Sequence, residues 1–333
     1  MPYITINKQH FFNNLDKICK KTKSKDKIAL VLKDNAYGHG VHIISKLAVE
    51  YGISKAVVQS NEEAKEIEKY FKYILVLADI PLTPISKVRY TINDLNSIKY
   101  FREGTKVELK VNTGMNRNGI EMDELDNALK LIKDKGLVLE AVFTHHGCAD
   151  ELNEFYDVQK NNFQEIKNIL KIKDIGVRLH SCNSAALLRE QNFDEDMARV
   201  GIAAYGCLEM PKELSQISLT PILSLYAKKI SSRFIKPGCC IGYGASFTSK
   251  DSALVSNYDI GYGDGLLRAA SNKLITPNGT KIVGRISMDN SSFLSDKDEL
   301  LIFDDATKAC TFANTISYEV LTSLKPYIKR VVV

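Results

Sequence analysis

A lysine closes the apolar run IALVL and opens at once into DNAYGHG. An ammonium in that place, Lys33, either reaches back to water along its aliphatic stem or stands where it can react. Reaction needs partners, and the ends of other apolar runs carry them. Asn35, Tyr37 and His39 follow Lys33 itself. Lys110 lies in KVELKV, which runs into NTGMNRNG with Arg117 among its turn residues. LVLEAVFTH leads into His145 and His146, and GVRLHSC carries His180 and leads into Asn183 and Ser184. ARVGIAAYG contains Arg199, Gly201 and Ile202.

Two of these groups suit an anion. Asn183 and Ser184 can cap a helix whose free N–H groups and positive dipole end attract a phosphate. Gly201 lets backbone come close to a ligand. Each also has a plain structural use, as a cap and as a packing glycine. No GxxxxGK[ST] occurs, so a nucleotide P-loop is unsupported. Phosphate on one side and a strand-end lysine on the other is the layout for pyridoxal phosphate, which a lysine holds as a Schiff base. The group facing the pyridine nitrogen then decides the chemistry. A carboxylate keeps that nitrogen protonated and makes the ring a strong electron sink, whereas an arginine disfavours protonation. Arg199, on an otherwise apolar run, is the candidate, and burying it demands a partner. Tyr243 in CCIGYGASF and Tyr262 in DIGYGDG sit among glycines, as hairpin tyrosines often do. Near an arginine and a histidine, however, a tyrosine can become acidic enough to move protons.

The elements that must position these groups follow from the hydrophobic pattern. Eight apolar runs, KIALVLK, KAVVQS, YILVLAD, VRYTI, KVELKV, LVLEAVFTH, GVRLHSC and ARVGIAAYG, alternate with charged amphipathic stretches such as MDELDNALKLIKDKG. That count predicts an α/β chain with a (β/α)₈ TIM barrel over residues 8–220, and an open doubly wound sheet uses the same alternation. A barrel gathers the residues above at the C-terminal ends of its strands. Residues 221–333 change character, with LSLYAKKIS, ALVSNYDIGYG, TKIVGRISMD, DELLIFD and IKRVVV broken by glycine and proline. They predict a β-rich C-terminal domain.

Composition excludes several classes. The charge of +5 is the small difference between 45 basic and 40 acidic residues, and no aromatic-interleaved basic face argues for nucleic acid. No apolar stretch approaches the ~20 residues of a membrane span. MPYITINKQHFF does not read as a signal peptide, and the seven cysteines show no CxxC pair. Reduced thiols, no metal site and a cytoplasmic location are the expectation.

VLKDNAYGHG, LKVNTGMNRNGI, FTHHGCADE, HSCNSAAL, ARVGIAAYG, IGYGASF, IGYGDG and VGRISMDN, in that order, resemble alanine racemase, a fold-type III pyridoxal phosphate enzyme. The resemblance runs from the first barrel strand almost to the C-terminus. It implies that Lys33 is the Schiff-base lysine and the base on one face of the substrate. Tyr243, from the partner subunit of a homodimer, would be the base on the other face. Arg199 would face the pyridine nitrogen, and Tyr37, Ser184, Gly201, Ile202 and Tyr318 would hold the phosphate. Arg117 and the backbone of Met288, again from a partner, would bind the substrate carboxylate. His145 would support Tyr243 and Arg199, and Tyr262 would line the entrance with Tyr318. Lys110 matches a lysine that some members carry as a carbamate. Residues 1–7 would join the tail rather than the barrel. In bacteria the family implies D-alanine for peptidoglycan.

The chain departs from the pattern in places. It is shorter than most members, Asp34 stands where alanine is usual, and Asn112 where aspartate is usual. Neither removes a group the chemistry needs, but both leave substrate range open, serine and lysine included. A decarboxylase of the same fold wants a carboxylate where Arg199 stands. A barrel that merely carries pyridoxal phosphate has no use for a tail with Tyr243 and Met288.

Overall fold

A computed structural model describes residues 1–81 and 83–333. The chain opens with strand β1 (Tyr3–Ile6) and a helix over Lys8–Thr22. The Asn7 side chain caps that helix by accepting from the His10 N–H at 2.9 Å, and Lys20 and Lys21 face the negative end of its dipole. Phe11, Leu15 and Ile18 bury its apolar stripe.

Eight parallel strands follow: β2 (Ile28–Val31), β3 (Lys55–Val58), β4 (Tyr73–Val76), β5 (Val88–Ile92), β6 (Lys106–Lys110), β7 (Val138–Phe143), β8 (Arg178–His180) and β9 (Ala198–Val200). Each coincides with one of the eight apolar runs. They pair in the order β8-β7-β6-β5-β4-β3-β2-β9. The Arg199 N–H donates to the Cys182 carbonyl at 2.9 Å, and the Asp196 N–H to the Leu179 carbonyl at 3.1 Å, tying the two ends together. The result is a nearly closed TIM-like barrel, not an open sheet. β2 and β4 are buried along their whole length, as strands covered on both faces must be. Helices such as Phe155–Ile172 wrap the outside, its inner face set by Tyr156, Phe163, Ile166 and Leu170.

The tail is built on a long strand, β10 (Leu223–Ile235). After it come a small hairpin of β11 (Cys240–Ile241) and β12 (Phe247–Thr248), then β13 (Ala253–Tyr258), β14 (Ser291–Phe293), β15 (Glu299–Phe303) and β16 (Lys329–Val332). The main sheet runs β14-β13-β10-β1-β16, with β15 also on β10. β1 lies antiparallel to β10 and parallel to β16. Two features differ from the pattern read in the sequence. TKIVGRISMD forms only isolated bridges, because Gly284 takes φ 79° and turns the backbone out of the extended region. Two short helices, Ala306–Ala313 and Ser317–Ser323, interrupt the β-rich tail, and the second brings Tyr318 against the barrel mouth. Among the described residues no helix is long and apolar enough to cross a membrane.

Candidate active site

Past β2 the backbone does something rare. Asp34, Asn35, Ala36 and Tyr37 all take positive φ, between 51° and 55°. A left-handed turn of non-glycine residues costs roughly 1–2 kcal/mol at each position, so its surroundings must hold it. The Asn35 side chain accepts from the Val41 N–H at 2.8 Å, and Arg330 Nε donates to the Gly38 carbonyl at 2.9 Å. His39 lies at the centre. Its Nδ1 faces the carbonyls of Ala36 and Tyr37, both at 2.9 Å, so this nitrogen carries the proton and donates. The ring stacks on Tyr205 at 4.4 Å, and burial pushes its pKa down to about 4, leaving it neutral. Gly38 is required because a Cβ there would meet the Leu321 carbonyl oxygen at 2.0 Å. His39→Ala should therefore lower stability by about 3 kcal/mol. Urea unfolding checks this, and a loss under 1 kcal/mol would mean that the turn holds itself.

The turn delivers Tyr37 into a cavity of ≈ 710 Å³ at the C-terminal mouth of the barrel. Lys33 lines it from the end of β2, Arg199 from β9 and Lys110 from β6. Arg117, His145 and His146 line one part, and Asn183, Ser184, Gly201, Ile202 and Tyr318 another. Lys33 Nζ lies 3.6 Å from the Asp34 carboxylate, an exposed contact that leaves the amine free to turn inward.

The phosphate-like corner has a specific donor set. Asn183, not Ser184, is the N-cap: its side chain accepts from the Ala186 N–H at 2.9 Å. Ser184 Oγ accepts the N–H groups of Gly201 at 3.0 Å and Ala203 at 3.3 Å, which leaves its own proton to donate. The Ile202 N–H and the hydroxyls of Tyr37 and Tyr318 have no partner among the described residues. Burial raises both phenols, so they stay protonated donors. A Cβ on Gly201 would press within 2.7 Å of the Tyr37 hydroxyl. Unsatisfied donors converging beside a cavity are an anion cradle.

The opposite wall is strongly cationic. Arg199 is buried, with Nη2 donating to the carbonyls of Thr144 at 2.6 Å and Ser181 at 3.0 Å. Its Nη1 donates to His180 Nδ1, so Nε is the guanidinium donor left over. Burial first, then Arg199, Lys110 and Arg117, hold His145 well below the ordinary histidine range. Burial, then Arg117 and Arg199, lower the Lys110 amine to about 8. Below pH 8 this lysine is charged in both folded and unfolded states and opposes folding. As pH rises from about 8 towards 10.5 the folded protein sheds the proton first, so stability should climb. Lys110→Met in bicarbonate-free buffer should flatten that climb, by up to about 3 kcal/mol; an unchanged pH–stability curve would contradict it.

Three expected residues lie outside this cavity in the same chain. Tyr243 sits after β11, 69% exposed, beside a separate cavity of ≈ 630 Å³ that Arg285 also lines. Met288 is 55% exposed, and its carbonyl accepts from the Gly263 N–H at 2.8 Å. Tyr262 is exposed on the adjoining turn, its N–H on the Ser287 carbonyl at 3.0 Å. The side-chain hydrogen-bond partner of Arg199 among the described residues is His180, and behind His180 stands Glu108, which sequence reasoning passed over. Its trace was the alternation in KVELK, which puts Glu108 and Lys110 on one face.

Comparison with known proteins gives a consistent result. Residues 6–209 match the model for "Alanine racemase, N-terminal domain", and residues 222–332 that for "Alanine racemase, C-terminal domain". The alanine racemase of Campylobacter concisus is 42% identical over 337 residues, covering 99% of each chain. That of Nitratiruptor is 40% identical, also covering 99% of each. Among solved structures, the alanine racemase of Bacillus anthracis with bound L-Ala-P is 28% identical and superposes with a TM-score of 0.87, covering 100% of this chain and 95% of that one.

Proposed function

The chain belongs to the alanine racemase family, and from that premise we propose that it interconverts L- and D-alanine with pyridoxal phosphate, in a homodimer with shared active sites. The observation that carries this is one cavity lined by Lys33, Arg199 and the unpartnered donors of Tyr37, Ile202 and Tyr318. The donor set fits the cofactor: an anion cradle for its phosphate, an amine for its aldehyde, and Arg199 Nε for its ring nitrogen. When bound, the cofactor draws electron density from the amino acid and acidifies its Cα–H.

The protein's groups supply the rest. Lys33 anchors the cofactor and moves the Cα proton on one face. The partner subunit's Tyr243 moves it on the other, since inversion needs a donor opposite the acceptor. Tyr243 is exposed and lines a cavity other than its own chain's Lys33 cavity, a placement that suits a residue serving a second copy. Arg117 fixes the substrate carboxylate, joined by the backbone N–H of the partner subunit's Met288. Arg199, as a guanidinium that keeps its proton, would offer a donor to the pyridine nitrogen and so would hold back side reactions that need a stronger electron sink. His145 supports the tyrosine, and Tyr262 narrows the entrance with Tyr318. Lys110, whose amine burial and Arg117 bring closer to neutrality, would bond through its nitrogen to CO₂ from solution and release a proton to solvent, and the negative charge of the carbamate formed would relieve this cationic wall.

Residues 8–220 form the cofactor-holding unit, and residues 221–333 with 1–7 the unit that reaches the partner. The setting we infer is the cytoplasm, with D-alanine destined for peptidoglycan. Borohydride reduction of the protein reconstituted with pyridoxal phosphate, followed by peptide mapping, tests the anchor. The label belongs on Lys33; a label elsewhere contradicts the assignment.

A further inference from the structure

A column of polar side chains fills the barrel behind Arg199. Glu108 and His180 are both 0% exposed, on β6 and β8. His180 Nε2 lies 2.9 Å from Glu108 Oε2. Glu108 Oε1 accepts from Arg178 Nη2 at 2.9 Å and from the Tyr73 hydroxyl. Arg178 continues to Glu140 at 3.1 Å, and Arg89 Nε reaches Glu140 at 2.8 Å. β4, β6 and β8 alternate with β5 and β7, so the contacts of Glu108 with Tyr73, Arg178 and His180 pass over an intervening strand, whereas Arg178–Glu140 joins the neighbours β8 and β7.

We propose that Glu108 is a positioning residue: it fixes the ring tautomer of His180 and thereby aims Arg199 at the reaction cavity. The reasoning is a count of donors and acceptors. Arg199 Nη1 can only donate, so His180 Nδ1 must be bare. The proton then sits on Nε2, which needs an acceptor in a site that water does not reach. Only an ionised carboxylate there accepts from His180, Tyr73 and Arg178 at once. Burial alone would raise the Glu108 carboxyl, but the His180 hydrogen bond, then Arg178 and Tyr73, bring it to about 2. Burial lowers His180, so the pair is a carboxylate against a neutral ring rather than two charges. The other contacts of Arg199 go to backbone carbonyls, so His180 is its one side-chain hydrogen-bond partner among the described residues.

This role rests on the cofactor reading above, and Glu108→Gln tests it with almost no change of shape. The amide has one accepting oxygen where the carboxylate had two. Tyr73 and the charged Arg178 together outcompete His180 for it, turning the NH₂ towards His180 Nε2. The ring proton must then move to Nδ1, donor against donor with Arg199. In the reconstituted holoenzyme labelled with ¹⁵N-histidine, one of six histidines, assigned by its loss in His180→Asn, should change from the Nε2–H to the Nδ1–H signature. Turnover should fall by about tenfold or more with little change in KM, while borohydride still labels Lys33.

Removing the competing donor should reverse the effect. In Glu108→Gln with Arg178→Met the amide can turn its NH₂ away and accept from His180 again, so the tautomer and most of kcat should return. A merely structural ion network predicts the opposite, a further loss. The proposal is overturned if wild-type His180 is Nδ1–H, if Glu108→Gln keeps both tautomer and kcat, or if the double variant is no better than the single one. If Lys33 takes no label in the wild type, the cofactor reading falls instead, while the tautomer shift still reports on Glu108.

Discussion

Lys33→Ala should lower racemisation by about 10 000-fold or more and abolish borohydride labelling at this position. Two roles are lost together, the covalent anchor and one of the two proton carriers. The phosphate corner does not use the Lys33 side chain: Tyr37, four residues on in the same turn, supplies it together with Ser184, Ile202 and Tyr318 from other elements. The variant should therefore still bind pyridoxal phosphate, non-covalently and more weakly. Stability should change little, since the lysine's ion pair with Asp34 is exposed. A Lys33→Ala protein that racemises alanine at more than a few per cent of the wild-type rate would remove this residue from the mechanism.

Tyr243→Phe should cost about 100-fold or more in racemisation and yet leave proton exchange on one face. The ring stays and only the hydroxyl goes, and since Tyr243 is exposed and its hydroxyl has no hydrogen-bond partner among the described residues, folding should be unaffected. Cα exchange without inversion should survive for one enantiomer, the one whose proton Lys33 faces, and fall for the other. Mixing with Lys33→Ala then tells whose tyrosine acts. When the two inactive variants are refolded together, a mixed dimer contains one site with both Lys33 and the partner subunit's Tyr243 intact. Activity should reappear. If both residues served the same chain's site, every site in the mixture would stay defective and no activity would return.

Much of this was legible because short-range pattern and barrel topology agree. Apolar runs such as IALV and YILV are buried throughout, and their ends placed Lys33, Lys110 and Arg199 at one mouth. Other features depend on contacts distant in sequence. The left-handed turn at Asp34–Tyr37 breaks the local rule against positive φ in four residues that are not glycine, and His39, Glu63 and Arg330 compensate from outside it. Glu108 carries no signal in the sequence beyond the alternation of KVELK. It matters only because the barrel turns one face of β4, β6 and β8, each two strands apart, to a common interior, where Tyr73, Arg178 and His180 meet it. The helix at Ser317–Ser323 is hidden in a tail dominated by strand-like runs, although the resemblance implies a phosphate-holding role for its Tyr318.

The most direct test of the central claim is to incubate the reconstituted protein with L-alanine in deuterated water and follow Cα deuterium and the D/L ratio together. Two-base racemisation predicts that the product enantiomer carries deuterium from its first appearance and that the mixture approaches equal D and L. Deuterium entering while the configuration stays L would contradict it, because a single base would then be returning the proton to the face it came from.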